Sequence, residues 1–89
     1  MESRKEMKQI DVEIKFKEGL HARPAVKLIK LVSKLESTVT IEKDGAKYAA
    51  NSITAILSAG MMCGDKISLR AEGTDEDIAI TQLTEYFTL

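Results

Sequence analysis

The hydrophobic pattern of this chain switches repeatedly between two periods, and this succession constrains the fold more than any other feature. Apolar residues alternate with charged ones from Ile10 to Phe16, which predicts a strand with one buried face. Over residues 22–35 the apolar residues instead recur every three or four positions, which predicts an amphipathic helix. The chain therefore begins with a strand followed by a helix, each with a single apolar face.

Three further strands are predicted downstream of this helix. They cover residues 38–43, 47–49 and 65–72, and in the last of them Ile67, Leu69 and Ala71 alternate with polar residues. The dipeptide Asp44-Gly45 separates the first two strands, and it tolerates the positive φ angles of a tight hairpin turn.

Two more helices complete the pattern. Residues 52–58 predict a short helix that Gly60 ends. Thr74 is predicted to cap the last helix, with Asp77 completing a capping box. The buried stripe of this helix is predicted to comprise Ala79, Ile80, Leu83 and Phe87.

The predicted order is thus βαββαβα, an α+β fold. Because each long helix has one apolar face, both helices are expected to lie side by side on one face of a four-stranded antiparallel sheet. The opposite sheet face is expected to be polar, since it would carry Asp11, Glu13, Lys15, Thr40 and Glu42. Residues 1–89 are predicted to form a single domain, with residues 1–7 as a loose N-terminal extension.

Composition narrows the functional classes. The 89 residues, 44% of them hydrophobic and 30% charged, are typical of one ordered globular domain. A net charge of −1 provides no general attraction to nucleic acid or to an anionic membrane. The sequence shows neither a membrane-spanning run nor the apolar region of a signal peptide, and its single cysteine, Cys63, excludes an intramolecular disulfide. These features predict a cytoplasmic protein in which the Cys63 thiol is buried or half-buried and inert.

The segment "GLHARPAV", residues 19–26, contains the only histidine and the only proline of the chain. At or near the N-cap of the predicted helix, His21 would meet free backbone N–H groups, the positive end of the helix dipole and Arg23. These groups disfavour the imidazolium, so a ring nitrogen is free to attack a phosphoryl group whose oxygens they can then bind. Pro24 suits a first helical turn, although the residue before a proline avoids the helical region, which would instead make Arg23 the cap. Gly19 would let the loop backbone approach its neighbours closely.

The residues by themselves leave two interpretations of His21 open, a phosphoryl acceptor and an ordinary surface or capping histidine. A metal site is not expected, because there is no second histidine and no cluster of Cys, His and carboxylate side chains. Hydrolase chemistry is disfavoured as well, since no serine or cysteine has an obvious base partner.

The string "GLHARPA" closely resembles the active-site signature of the HPr family, the histidine-containing phosphocarriers of the bacterial sugar phosphotransferase system. The resemblance extends from about Lys8 to Phe87 and includes the Asp44-Gly45 hairpin, "NSITAILSAG" and "AEGTDEDIAITQL". It implies an open-faced sandwich in which His21 accepts a phosphoryl group on Nδ1 from phosphorylated enzyme I, which draws it from phosphoenolpyruvate. His21 would then pass the group to a histidine of an enzyme IIA domain while Arg23 neutralises the phosphate. Such a protein is a carrier rather than an enzyme, and no cofactor is implied.

The resemblance also implies that Ser52 occupies the regulatory position that an ATP-dependent kinase phosphorylates in many family members, with a phosphatase and a transcriptional repressor as further partners. Ser52 is at the same time a predicted N-cap, where a phosphate would meet a tolerant helix end. Thr54 and Ala55 differ from the residues that are frequent in regulated members. A docking surface for partner proteins is expected to comprise Lys27, Lys30, Ile53, Ile56 and Leu57.

Two other functions compete with the carrier. An HPr-like regulatory protein would act by docking in carbon or nitrogen control, but such relatives typically carry glutamine in place of the histidine. A nucleic-acid-binding sandwich is disfavoured by the acidic balance and by the lack of aromatic residues on the strands. The pair His21 and Arg23 therefore favours the carrier, and at this size a monomer is expected.

Overall fold

The computed structural model describes residues 8–20 and 23–88. Seven elements follow one another in the predicted order βαββαβα. They are β1 (Lys8–Glu13), α1 (Arg23–Ser33), β2 (Thr38–Lys43), β3 (Ala46–Ala49), α2 (Ile53–Ser58), β4 (Lys66–Glu72) and α3 (Glu76–Thr88).

The four strands form one antiparallel sheet in the order β1-β4-β2-β3. The central strand β4 aligns Leu69 with Ile10 on one side and with Ile41 on the other. Strands distant in sequence are therefore neighbours, while the Asp44-Gly45 turn joins β2 and β3 with positive φ angles of 52° and 85°.

One hydrophobic core fills the space between the helices and one face of the sheet. Its largest fully buried side chains include Leu28 of α1, Ile56 of α2, Leu69 of β4 and Leu83 of α3. The side-chain stripe predicted for α3 is confirmed, since Ala79, Leu83 and Phe87 are buried and Ile80 packs against the core. Both long helices thus cover the same sheet face, as their single apolar faces predicted.

The other sheet face is polar, as predicted. The Ser68 hydroxyl donates to the Asp11 carboxylate at 2.7 Å. Arg70 lies within 3.8 Å of the Glu42 carboxylate and donates to the side-chain oxygen of Gln9 at 3.4 Å. These polar contacts keep the open face of the sheet compatible with water.

The prediction that Thr74 caps α3 was wrong. The backbone carbonyl of Asp75 accepts the first helical bond, from the N–H of Ala79 at 2.8 Å, so Asp75 is the residue at the cap. The hydroxyl of Thr74 instead donates to Glu36 at 2.9 Å. The Asp75 carboxylate accepts bonds from the backbone N–H groups of Glu36 and Ser37 at 2.8 and 2.9 Å and from the Ser37 hydroxyl. The side chains of Thr74 and Asp75 therefore bond to the loop at residues 36–37 and not to the first turn of α3.

These bonds make stability depend on the charge of Asp75. The Ser37 hydroxyl and, after it, the Glu36 N–H hold the pKa of the Asp75 carboxyl below its usual 3.8. A lowered pKa in the folded state stabilises the protein at pH values above the unfolded pKa, and this contribution is lost as the pH falls through the folded pKa. Asp75→Asn is therefore expected to lower the melting temperature by several degrees at pH 7, and this difference should shrink as the pH falls below about 4.

Thermal denaturation followed by circular dichroism between pH 7 and pH 2.5 measures this effect. Asp44→Asn at the exposed hairpin turn is the matched control, because it removes the same charge away from these hydrogen bonds. A constant difference between the wild type and Asp75→Asn across this pH range would contradict the assignment.

The expectation that Cys63 is buried or half-buried was also wrong, because its side chain is exposed. Cys63 lies in the turn between α2 and β4, where backbone groups make the contacts. The N–H of Gly64 donates to the Ile14 carbonyl at 2.7 Å, and the Asp65 carboxylate accepts from the N–H of Met62 at 2.8 Å. The backbone of the turn bonds to Ile14, the residue directly after β1, and the Cys63 side chain remains outside the core.

Candidate functional site

The helix predicted after the histidine begins at Arg23, with Pro24 in its first turn. Arg23 is exposed, and the first turn of α1 contains no acidic residue. The cationic side chain and the positive end of the helix dipole therefore both attract an anion. His21 itself, the predicted phosphoryl acceptor, lies outside the described residues. The described residues on each side, Leu20 and Arg23, define how the chain enters and leaves this segment.

The loop before the histidine is held against the turn after α2. The N–H of Leu20 donates to the Met61 carbonyl at 2.9 Å, and Leu20 is only 1% exposed. Gly19 has a φ of +81°, and a Cβ atom at this position would lie 2.3 Å from the same Met61 oxygen. Only glycine permits the backbone at position 19 to lie this close to the backbone of Met61, as the sequence predicted for Gly19.

The chain after the histidine is anchored by the end of α3. The hydroxyl of Tyr86 donates to the backbone carbonyl of Pro24 in the first turn of α1. The N–H of Gly19 donates to the Phe16 carbonyl at 2.9 Å, and the ring of Phe16 packs against Tyr86 with a centroid separation of 5.3 Å. Sequence reasoning did not single out Tyr86, because its partners are distant in sequence.

Ser52 is the N-cap of α2, which confirms the predicted cap. Its φ and ψ of −120° and 115° are extended, and its hydroxyl oxygen accepts from the N–H of Ala55 at 3.2 Å. The side chain is half-buried. The serine therefore already has a structural role, and its oxygen lies at the positive end of a helix.

The structure separates the predicted docking residues into two groups. Lys27 and Lys30 are exposed on α1, and Ile53 and Leu57 are 38% and 48% exposed on α2. Ile56 is 0% exposed, so its assignment to an exposed docking surface was wrong. On a helix of six residues that packs against α1 and β3, one side chain must face the core, and Ile56 is that residue.

Besides Ile78 on α3, two exposed apolar side chains were not among the predicted docking residues. Val26 is 45% exposed on α1. Met62 is 61% exposed, and its Cα lies 3.1 Å from the position of a Cβ on Gly19. Val26 on α1, Ile53 and Leu57 on α2, and Met62 in the turn after α2 are thus four large exposed apolar side chains. We call these four residues the apolar flank.

No helix within the described ranges is long and apolar enough to cross a membrane. Among the same residues, no group of three or more histidine, cysteine, aspartate or glutamate side chains could hold a metal ion.

The structure is an open-faced α+β sandwich in which α1 begins with the exposed Arg23, two positions after the histidine in the sequence. The sequence model of a known family, described as the PTS HPr component phosphorylation site, matches residues 8–88. The chain therefore belongs to the HPr family.

Curated proteins of three named types are similar to this chain. The HPr-like protein Crh of Bacillus subtilis is 39% identical over 80 residues, which cover 90% of this chain and 94% of that protein. The phosphocarrier protein HPr of Borreliella burgdorferi is 38% identical over 72 residues, covering 81% and 84%. The phosphocarrier protein NPr of Proteus mirabilis is 40% identical over 77 residues, covering 85% and 86%.

Solved structures agree with this assignment. HPr-C-His from Thermoanaerobacter tengcongensis superposes with a TM-score of 0.88 at 43% identity, and the match covers 91% of each chain. An HPr dimer from the same organism gives a TM-score of 0.70 at 46% identity, covering 83% of this chain and 85% of that one. The predicted fold class is thus confirmed.

Proposed function

We propose that this protein is a phosphocarrier whose His21 accepts a phosphoryl group from phosphorylated enzyme I, originating in phosphoenolpyruvate, and passes it to enzyme IIA for sugar uptake. The observation that carries the proposal is the family match together with the segment "GLHARPA", in which Leu20 and Pro24, on either side of His21, bond to Met61 and Tyr86. The protein acts as a single domain in the cytoplasm and as a monomer.

The transfer follows from the chemistry of imidazole. The Nδ1 lone pair of His21 attacks the phosphorus of the phosphohistidine on enzyme I, and the N–P bond of the donor breaks with its electron pair returning to the donor ring. The exposed guanidinium of Arg23 and the first N–H groups of α1 stabilise the oxygens during transfer. Since one phosphohistidine replaces another, the energy is nearly balanced, and the next protein consumes the product, so the protein is a carrier rather than an enzyme.

Intact-protein mass spectrometry at mildly alkaline pH tests the proposal. Incubation with phosphoenolpyruvate and a catalytic amount of bacterial enzyme I is expected to add one phosphate, which acid removes. An HPr of known activity in the same tube shows that enzyme I is competent. If that control is labelled while this folded protein is not, the carrier function is excluded.

Arg23→Ala is expected to slow the transfer from phosphorylated enzyme I by about tenfold, because one charge-assisted contact to the phosphate oxygens is lost. Stability should change little, since Arg23 is exposed. Quenched-flow measurement of the phosphorylation rate provides the test, and Lys34→Ala provides the control, because it removes one positive charge near the opposite end of α1. If both variants were slowed equally relative to the wild type, only the net charge would matter.

Ser52 supports a second proposal, regulation by an ATP-dependent kinase and its phosphatase. A phosphate on the hydroxyl that caps α2 would add a charge of about −1.5 to −2 next to the exposed Ile53 and Leu57. Enzyme I, enzyme IIA and a transcriptional repressor are proposed to dock on the apolar flank with Lys27 and Lys30, so this charge would alter their binding.

With ATP and a bacterial HPr kinase, the wild type is expected to gain one acid-stable phosphate and Ser52→Ala none. Ser58→Ala in the same helix is the control, because Ser58 is exposed and its hydroxyl donates to the Ala55 carbonyl at 2.9 Å. Loss of the cap costs Ser52→Ala about 1 kcal/mol of folding stability, so the assay is run well below its melting temperature. Labelling of Ser52→Ala, or loss of labelling in Ser58→Ala, would reject Ser52 as the site.

A regulatory function is the second candidate, favoured by the similarity to Crh and NPr. Such a protein would act by docking in carbon or nitrogen control rather than in sugar transport. The histidine at position 21 favours the carrier, and the enzyme I experiment separates the two.

A further inference from the structure

We infer that Tyr86 is a positioning residue for phosphoryl transfer, because it bonds to the Pro24 carbonyl after His21 and packs against the Phe16 ring before it. The inference rests on the proposed carrier function. It concerns a contact between α3 and the start of α1 that no signature motif of the chain includes.

The first contact is the hydrogen bond from the Tyr86 hydroxyl to the Pro24 carbonyl, which joins residues 62 positions apart. Pro24 lies in the first turn of α1, one residue after Arg23. A carbonyl oxygen has two lone pairs, so the Pro24 oxygen can accept from Tyr86 in addition to an N–H of its own helix. The bond therefore fixes the position of the first turn without interrupting α1.

The second contact is aromatic and reaches the other side of the histidine segment. The rings of Tyr86 and Phe16 lie 5.3 Å apart at 51°, and those of Tyr86 and Phe87 lie 5.1 Å apart at 87°. Both separations fall within the range of favourable aromatic pairs. Phe16 begins the turn that ends at Gly19, whose N–H donates to the Phe16 carbonyl at 2.9 Å. The Tyr86 side chain thus contacts both Phe16, which starts this turn, and Pro24, which follows Arg23.

The surroundings keep this hydroxyl in its donating form. Partial burial raises the pKa of Tyr86 to about 12. The hydroxyl therefore remains protonated throughout the neutral and mildly alkaline range. Phe87, which is 1% exposed, anchors the same turn of α3 in the core.

Tyr86→Phe removes the hydroxyl and leaves the ring contacts, and Tyr48→Phe is the matched control. Tyr48 lies on β3, paired with Ile41, at the sheet edge farthest from β1. Because the chain has one histidine, the pH titration of the His21 ring protons by NMR follows a single residue. In Tyr86→Phe we expect this titration curve to shift and the maximal rate of phosphoryl acceptance to fall about threefold to tenfold, the factor that one neutral hydrogen bond supports. The KM for phosphorylated enzyme I should not change, and Tyr48→Phe should behave as wild type.

Tyr86→Leu completes the series, since it removes both contacts and should shift the His21 titration further. If folded Tyr86→Phe shows an unchanged titration and an unchanged rate, the inference is overturned. This holds also when Tyr86→Leu differs from wild type, because the ring then contributes packing alone. A shift of equal size in Tyr48→Phe also overturns it. If the wild type accepts no phosphate, the proposed function fails, while the His21 titration still decides whether Tyr86 positions this segment.

Discussion

Replacement of His21 by alanine is expected to abolish phosphoryl acceptance from enzyme I completely. The chain has no second histidine, so no other imidazole can form an acid-labile phosphoramidate. Arg23 and the N–H groups at the start of α1 can stabilise phosphate oxygens, but they offer no nucleophile. The effect is therefore a loss of the reaction rather than a decrease in its rate.

Wild type and His21→Ala are best phosphorylated in one tube, because their masses distinguish them and the wild type reports on enzyme I. Near-complete labelling of the wild type with none on the variant is the expected result. The two proteins should have the same circular dichroism spectrum, which shows that the loss is chemical. An acid-labile phosphate on His21→Ala would place the acceptor elsewhere and reject the mechanism.

Gly19→Ala is expected to destabilise the protein by about 2–5 kcal/mol, the largest effect on folding that the site predicts. The new Cβ would lie 2.3 Å from the Met61 carbonyl oxygen and 3.1 Å from the Met62 Cα, and both atoms belong to the backbone. The residue would also keep a φ of +81°, which disfavours any side chain. Either the loop or the turn after α2 must move, so we also expect slower phosphoryl acceptance.

Urea denaturation measures this loss, and Gly45→Ala separates its two causes. Gly45 has a nearly equal φ of +85°, but a Cβ there would meet nothing within 4 Å. Gly45→Ala should therefore cost only about 1–2 kcal/mol, the penalty for a left-handed residue with a side chain. Equal losses in both variants would show that the contact with Met61 contributes nothing.

Local patterns predicted the elements well because hydrophobic periodicity and helix capping depend on residues only a few positions apart. Strand β2 begins and ends at the predicted residues 38 and 43, and α2 is capped by Ser52 through a bond to a residue three positions away. The first residue of α3 was missed because the cap depends on a distant loop. Glu36 and Ser37 donate to the Asp75 carboxylate across 39 and 38 positions, and no local motif indicates such a partner.

The candidate site shows the same division. The burial of Ile56 and the exposure of Cys63 contradicted expectations based on sequence neighbours, because the tertiary packing decides which side chains are covered. The resemblance indicated His21 and Arg23 as the reacting pair, and helix chemistry indicated the start of α1. The contacts of Tyr86 with Pro24 and Phe16 join residues 62 and 70 positions apart, so only the assembled fold reveals them.

The sequence by itself determined the order of the elements, the apolar face of each and the residues suited to the chemistry, since periodicity and motif are properties of neighbouring residues. Tertiary structure alone decided that β4 lies between β1 and β2, that Met61 holds the loop through Gly19 and Leu20, and that α3 supports the start of α1. Packing decided these features, because a contact between distant residues depends on how all the intervening elements fit together.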